Sequence, residues 1–174
     1  DSLMMLHEMR IATYPRYAVT AKTNKAMDMM TFASKGKEKE VFDVLGDAMD
    51  TAKEKTAIVI PVRYMSYAND LYKAGTMSGE EVMAAYTKAY ETAELIEKAK
   101  PSQAVTDAKK DIENLLMISG VASCENLVDM FSPRYEANPQ DKYMLGNLIS
   151  MFSASNCLDD DLFVKAVESM HKLE

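Results

Sequence analysis

Apolar residues recur at helical spacing along almost the whole of this chain. Residues three and four positions apart lie on the same face of an α-helix, and such stripes appear in every long segment. One stripe contains Val41, Val44, Leu45, Ala48, Met49 and Ala52, and another contains Val82, Tyr86, Ala89, Tyr90 and Ala93. No segment alternates every two residues, as a half-buried strand does, and only 6 Gly and 5 Pro are available for turns. The sequence therefore predicts an all-α fold.

Turn-forming residues divide the chain into segments of similar length. They lie at residues 15, 36, 56, 75–78, 100–102, 120–123, 138–139 and 155–159. About eight helices are expected, arranged as successive antiparallel hairpins. The chain divides into an N-terminal helical-hairpin region, residues 1–120, and a repeat-like region, residues 121–174. Such an order builds either a compact bundle or an α-solenoid.

Several residues mark where individual helices begin or end. Ser78, with Glu81 three residues later, predicts a capping box. Pro61 is compatible with the first turn of a helix, and the aspartates at 159–161 suit the positive end of a helix dipole. Pro133 lies inside an apolar stripe, and a kink or break is expected there.

The two cysteines each precede an apolar segment, and they lie 33 positions apart. Metal binding requires more ligands than Cys124, Cys157, His7 and His171 provide at useful spacings, so no metal site is predicted. A disulfide needs Cα atoms within about 7 Å, whereas equivalent positions in neighbouring helices are roughly 8–10 Å apart. The spacing is interpreted as the imprint of a repeat, with both cysteines at corresponding helix starts. The two cysteines could form a disulfide or remain as two buried thiols, and both interpretations are kept.

The last third of the chain carries a recognisable pattern. It reads C-E-x-L-V, then Y-E-x-N-P-x-D, C-x-D-x-D-L-F and E-x-x-x-K-L-E. The residues are Cys124, Glu125, Leu127, Val128, Tyr135, Glu136, Asn138, Pro139, Asp141, Cys157, Asp159, Asp161, Leu162, Phe163, Glu168, Lys172, Leu173 and Glu174. This pattern resembles the early repeats of bacterial tetratricopeptide-repeat (TPR) proteins of an exported type from Gram-negative gut bacteria. The preceding helical region resembles the segment before those repeats.

This resemblance implies a fold and a broad function. It implies a TPR-like α-solenoid with degenerate repeats, a fragment of a longer chain, in which the helices from residues 123 and 141 form one hairpin. It further implies a non-catalytic scaffold for protein–protein interaction, located in the periplasm or cell envelope, with a protein or peptide partner that it does not identify. Export would also favour oxidation of Cys124 and Cys157 to a disulfide.

The sequence argues against several other functions. The net charge is −7 and the only lysine-rich stretch is the mixed KGKEKE at residues 35–40, so no nucleic-acid partner is expected. No phosphate-binding loop or nucleophile–histidine pair can be assigned, and we expect no catalytic residue, no enzyme activity and no cofactor. No apolar run approaches the roughly 20 residues of a transmembrane helix.

Tyrosines are concentrated in the middle of the chain. Tyr64, Tyr67, Tyr72, Tyr86 and Tyr90 could line an aromatic groove for a peptide or small ligand, or could pack between helices. A second function thus remains open, namely a closed helical bundle that binds a small molecule or acts as a spacer in the envelope.

Near the C-terminus, the apolar stripes predict a core between the last three helices. Its expected members are Leu145, Leu148, Phe152, Phe163 and Met170.

Overall fold

The regular elements of the protein are all helices in the part of the chain that the structure, a computed structural model, describes. That part comprises residues 2–13, 18–32, 35–55 and 57–173. It contains α1 (Ser2–Thr13), α2 (Ala18–Phe32), α3 (Glu38–Lys55), α4 (Val59–Lys73), α5 (Gly79–Ala99), α6 (Gln103–Ser119), α7 (Cys124–Ala137), α8 (Lys142–Ala154) and α9 (Asp161–Lys172).

The all-α prediction is confirmed, since these residues include no strand. They form nine helices where the sequence predicts about eight. The predicted breaks at Pro15 and Thr56, and the motif residue Glu174, lie outside the described residues.

The helices form two compact units. The first comprises the described residues up to Leu116, and the second those from Met117 onward, so the boundary falls in the last turn of α6. The sequence placed its division at residue 120.

In the first unit each helix packs against the next from α1 to α5, and α3 also packs against α5. Its fully buried side chains include Leu45, Met49, Ile60, Met65, Tyr86, Ile96, Ile112 and Leu116. Polar contacts hold α6 to this unit, because the Asn69 side-chain amide donates to the carbonyl of Leu115 over 2.7 Å, and Lys109 Nζ lies 2.8 Å from Glu97 Oε2. The predicted apolar faces of α3 and α5 therefore pack against each other, and these polar contacts join α6 to α4 and α5.

In the second unit α7, α8 and α9 all contact one another. Leu145, Leu148 and Phe152 are buried as predicted, together with Leu127 and Phe131. The Phe152 ring lies between two others, with centroids 6.3 Å from those of Phe131 and of Phe163.

Two members of the predicted core, Phe163 and Met170, are only half-buried. They lie on α9, which within this unit is covered by α7 and α8 alone. Their predicted full burial is therefore wrong.

The predicted helix starts are confirmed. The Ser78 backbone N–H donates to Glu81 Oε2 over 2.7 Å, and the Glu81 N–H donates back to the Ser78 hydroxyl over 3.2 Å. Pro61 is the third residue of α4, and Asp160 accepts from the Leu162 N–H at the start of α9. Local capping chemistry thus sets these boundaries.

A kink or break is expected at Pro133, and no break occurs, because α7 runs from Cys124 to Ala137 without interruption. Proline removes one intrahelical hydrogen bond. Phe131 is nevertheless buried just before it, and the Tyr135 hydroxyl lies 2.9 Å from Ser169 Oγ on α9 just after it. Packing on both sides of the proline holds the helix together.

Candidate functional site

A groove lies along one face of α4 in the first unit. Val59, Arg63 and Tyr67 are spaced four residues apart, so their side chains follow one another on the same face, and Ser66 and Asp70 continue that stripe. Two adjoining pockets share Arg63 and Tyr67. We call the two pockets together the α4 groove.

Three of the six residues that line the pocket nearer the start of α4 are apolar, and we call it the methionine pocket. Its volume is about 280 Å³, and Met27, Met30 and Thr31 of α2 face Val59 of α4 across it. Met27 and Val59 are 40% and 38% exposed. Methionine side chains are flexible and adapt to differently shaped apolar groups. This pocket can therefore accept an apolar side chain.

The second pocket is polar and has a volume of about 290 Å³. It lies where the loop before α3 approaches α4. Besides Arg63 and Tyr67, its lining residues are Lys35, Lys37, Glu38, Val41, Ser66 and Asp70.

The charges around this polar pocket are only partly paired. The N–H of Gly36 donates to Glu38 Oε1 over 2.9 Å, and this hydrogen bond is the largest cause that lowers the pKa of Glu38. Lys37 Nζ lies 3.7 Å from a carboxylate oxygen of Glu40. Arg63, by contrast, forms no ion pair or hydrogen bond with any residue that the structure describes. With respect to the described residues, its guanidinium therefore keeps its donors available for a carboxylate.

Only one of the five candidate tyrosines, Tyr67, lines the α4 groove. Tyr64 is buried and stacks on Phe42 at a centroid distance of 4.3 Å, and this burial raises its pKa. Tyr86 and Tyr90 stack on each other in the core, 5.6 Å apart.

The fifth, Tyr72, is 36% exposed in the last turn of α4. It is not among the groove-lining residues. The structure therefore does not gather the five rings into one surface.

Cys124 and Cys157 form a disulfide, with their Cα atoms 5.6 Å apart. Cys124 is the first residue of α7, whereas Cys157 lies four residues before α9 begins, so the two are not at corresponding helix starts. Instead, Cys157 belongs to the end of α8. Asn156 takes a positive φ of 56°, and the Cys157 N–H donates back to the Phe152 carbonyl over 2.8 Å. This Schellman turn brings Cys157 close enough to the start of α7 for the bond.

The two histidines lie in different units. His7 is buried on α1, and its Nε2 is 2.7 Å from Asp28 Oδ2 on α2, whereas His171 lies near the end of α9. Within the described ranges, no three side chains of the metal-binding types are grouped to hold an ion. Among the same residues, no helix combines the length and apolar character needed to cross a bilayer.

Reasoning from sequence missed the main components of the α4 groove, which are Arg63, Met27 and Met30. A weak signal was present, since Val59, Arg63 and Tyr67 form a mixed stripe in a helix whose other faces are largely apolar. The contribution of α2 had no local signal, because its methionines fit an ordinary packing stripe equally well.

No family model matches the chain, and no match to a curated protein or to a solved structure was found.

Proposed function

We propose that this protein is a non-catalytic, TPR-like helical scaffold that holds an extended segment of a partner protein in the α4 groove. One observation carries the proposal: exposed apolar side chains, Met27 and Val59, adjoin Arg63, which pairs with no described residue, in a groove built from two helices. Exposed apolar surface beside a polar group that fixes orientation is typical of a recognition site.

The arrangement of helices in the first unit supports a solenoid-like architecture. Helices α2 and α4 line a common groove, while α3 and α5 pack against each other. Helices thus alternate between two sides, as they do in stacked hairpins, which present one set of helices to their ligand. The sequence motifs in residues 123–174, which we interpret as a resemblance to TPR proteins, are in accord with this proposal.

The disulfide supports a location outside the reducing cytosol. Disulfides persist in oxidising compartments such as the bacterial periplasm. The bond between Cys124 and Cys157 therefore accords with an exported scaffold of the cell envelope.

The division of the groove into two pockets suits an extended polypeptide. Small-molecule sites usually bury most of the ligand in one cleft or cavity. The two pockets here are about 280 and 290 Å³ and lie on either side of shared side chains. Each can take one or two side chains of a segment that runs across both.

A peptide selection followed by matched substitutions tests this function. Peptides are first enriched on the natural protein from a random 12-residue library displayed on phage. Their binding affinities are then measured for the natural protein and for the Val59→Gln variant. Complete burial of an exposed valine contributes roughly 1.5–3 kcal/mol. Because Val59 is 38% exposed before a ligand binds, about that share can be gained, and we expect binding to weaken roughly three- to sixfold.

The control is Val164→Gln on α9, because Val164 is exposed to a similar degree, 46% against 38% for Val59. We expect this control to bind as the natural protein does. If Val59→Gln binds every enriched peptide unchanged, or if no peptide is enriched, the proposed function is wrong.

A further inference from the structure

We infer that the α4 groove selects segments in which a large apolar residue and an acidic residue lie two positions apart, with Arg63 as the specificity-determining residue. This inference rests on the proposed function and adds the chemistry of the partner.

The spacing of the groove residues sets the spacing in the partner. Val59 and Arg63 are four residues apart on α4, which corresponds to about 6 Å along the helix axis. In an extended chain, residues two positions apart are separated by roughly 6.6 Å and point to the same side. A segment running along α4 can therefore place an apolar side chain in the methionine pocket and its second-next side chain at Arg63.

The charge of the groove determines which polar side chain fits at Arg63. Two acids line the polar pocket. Glu38 already accepts from the backbone of Gly36, and Asp70 lies seven residues, about 10 Å, along α4 from Arg63. The cations of the pocket, which are Lys35, Lys37 and Arg63, outnumber these acids. Arg63 retains its full hydrogen-bonding capacity toward described residues. A guanidinium binds a carboxylate through two parallel hydrogen bonds, so Asp or Glu in the partner satisfies it best.

The carboxylate belongs to a side chain within the segment and not to the end of a chain. Arg63 lies on the wall shared by the two pockets, with the methionine pocket on one side and the polar pocket on the other. A chain ending at Arg63 would leave one pocket empty. A chain that continues past Arg63 reaches Ser66 and Asp70, which can hydrogen-bond to its backbone or to polar side chains.

The test compares peptide pairs on protein variants. The probes are the peptides enriched from the 12-residue library, together with synthetic copies in which the acid is replaced by its amide. We expect enriched peptides to carry Asp or Glu two positions from a large apolar residue, and the amide copy to bind the natural protein about tenfold more weakly. Arg63→Gln should bind the acid and amide copies equally.

Two controls distinguish recognition of an internal acid by Arg63 from a general charge effect and from recognition of a chain end. Lys73→Gln changes an exposed cation in the last turn of the same helix and should leave the preference for the acid intact. Amidation of the peptide's C-terminus should have no effect. If amidation abolishes binding, the ligand is a chain end and the inference of an internal acid is overturned.

The outcome also distinguishes this inference from the proposed function. If enriched peptides lack the acid, or if Arg63→Gln keeps the preference for it while Val59→Gln still weakens binding, the assignment of Arg63 is wrong and the groove remains the binding site. If Val59→Gln has no effect, the proposed function itself fails. Arg63 is exposed, so its substitution is expected to leave folding unchanged, which far-ultraviolet circular dichroism checks.

Discussion

Loss of the disulfide between Cys124 and Cys157 should destabilise the second unit selectively. The bond joins residues separated by 33 positions. In the chain-entropy model a closed loop of this length contributes about 12.5 cal/mol/K, or about 3.7 kcal/mol at 25 °C. The second unit runs from Met117 to Glu174, and roughly 0.05–0.15 kcal/mol per residue gives a unit of that size a stability of about 3–9 kcal/mol. The bond therefore accounts for a large part of that stability.

Cys124→Ser is the appropriate variant, because Cys124 is exposed whereas Cys157 is only 4% exposed. Serine at position 124 removes the bond without burying a hydroxyl group. Native-state hydrogen exchange measured by mass spectrometry follows each unit separately. In Cys124→Ser, the most protected amides of α7, α8 and α9 should exchange several hundred times faster than in the natural protein. This factor corresponds to a loss of about 3.7 kcal/mol, because each 1.4 kcal/mol changes the exchange rate about tenfold.

Amides of α3, α4 and α5 provide the internal control and should keep their protection. Adding a reductant to the natural protein should reproduce the effect of Cys124→Ser, and adding it to that variant should change nothing further. A loss below about 1 kcal/mol would refute the reasoning, because the loop would then be held closed by packing alone. An equal loss in α3 to α5 would refute the selective effect on the second unit.

Three further predictions concern packing, an interhelical hydrogen bond and pH. Phe152→Ala should cost about 3–5 kcal/mol in urea unfolding, and Phe163→Ala less, because part of the Phe163 side chain is exposed; equal costs would contradict the packing described. Asn69→Ala removes the donor to the α6 backbone and should cost about 1–3 kcal/mol in the same assay, and an unchanged midpoint would contradict a role for this bond. The Ser78 backbone N–H, followed by the Ser78 side chain, lowers the pKa of Glu81 below 4.5. The stabilising effect of Glu81 is thus present above pH 4.5 and is lost as the pH falls through the lowered pKa, so Glu81→Gln should weaken the acid dependence of α5 amide protection below that pH.

The sequence by itself determined the features that depend on near neighbours along the chain. Apolar spacing and capping residues act within one or two turns, and they predicted an all-α chain. They also predicted the helix start at Ser78, which is the N-cap of α5.

Contacts between distant segments were decided only by the tertiary structure. The α4 groove joins Met27 to Arg63 across the intervening helix α3, and no local pattern distinguishes a methionine that packs from one that lines a groove. Likewise, an apolar stripe shows which face of α9 is inward, but the number of helices covering it decides that Phe163 is only half-buried.

The disulfide depends both on the local sequence and on the tertiary packing. The sequence supplied two cysteines at a suggestive spacing, but equivalent points on neighbouring helices are too far apart to bond. The left-handed conformation of Asn156 at the end of α8 is the deciding feature, because it brings Cys157 back to the start of α7. That distance depends on how α7 and α8 pack, and packing is a property of the folded chain.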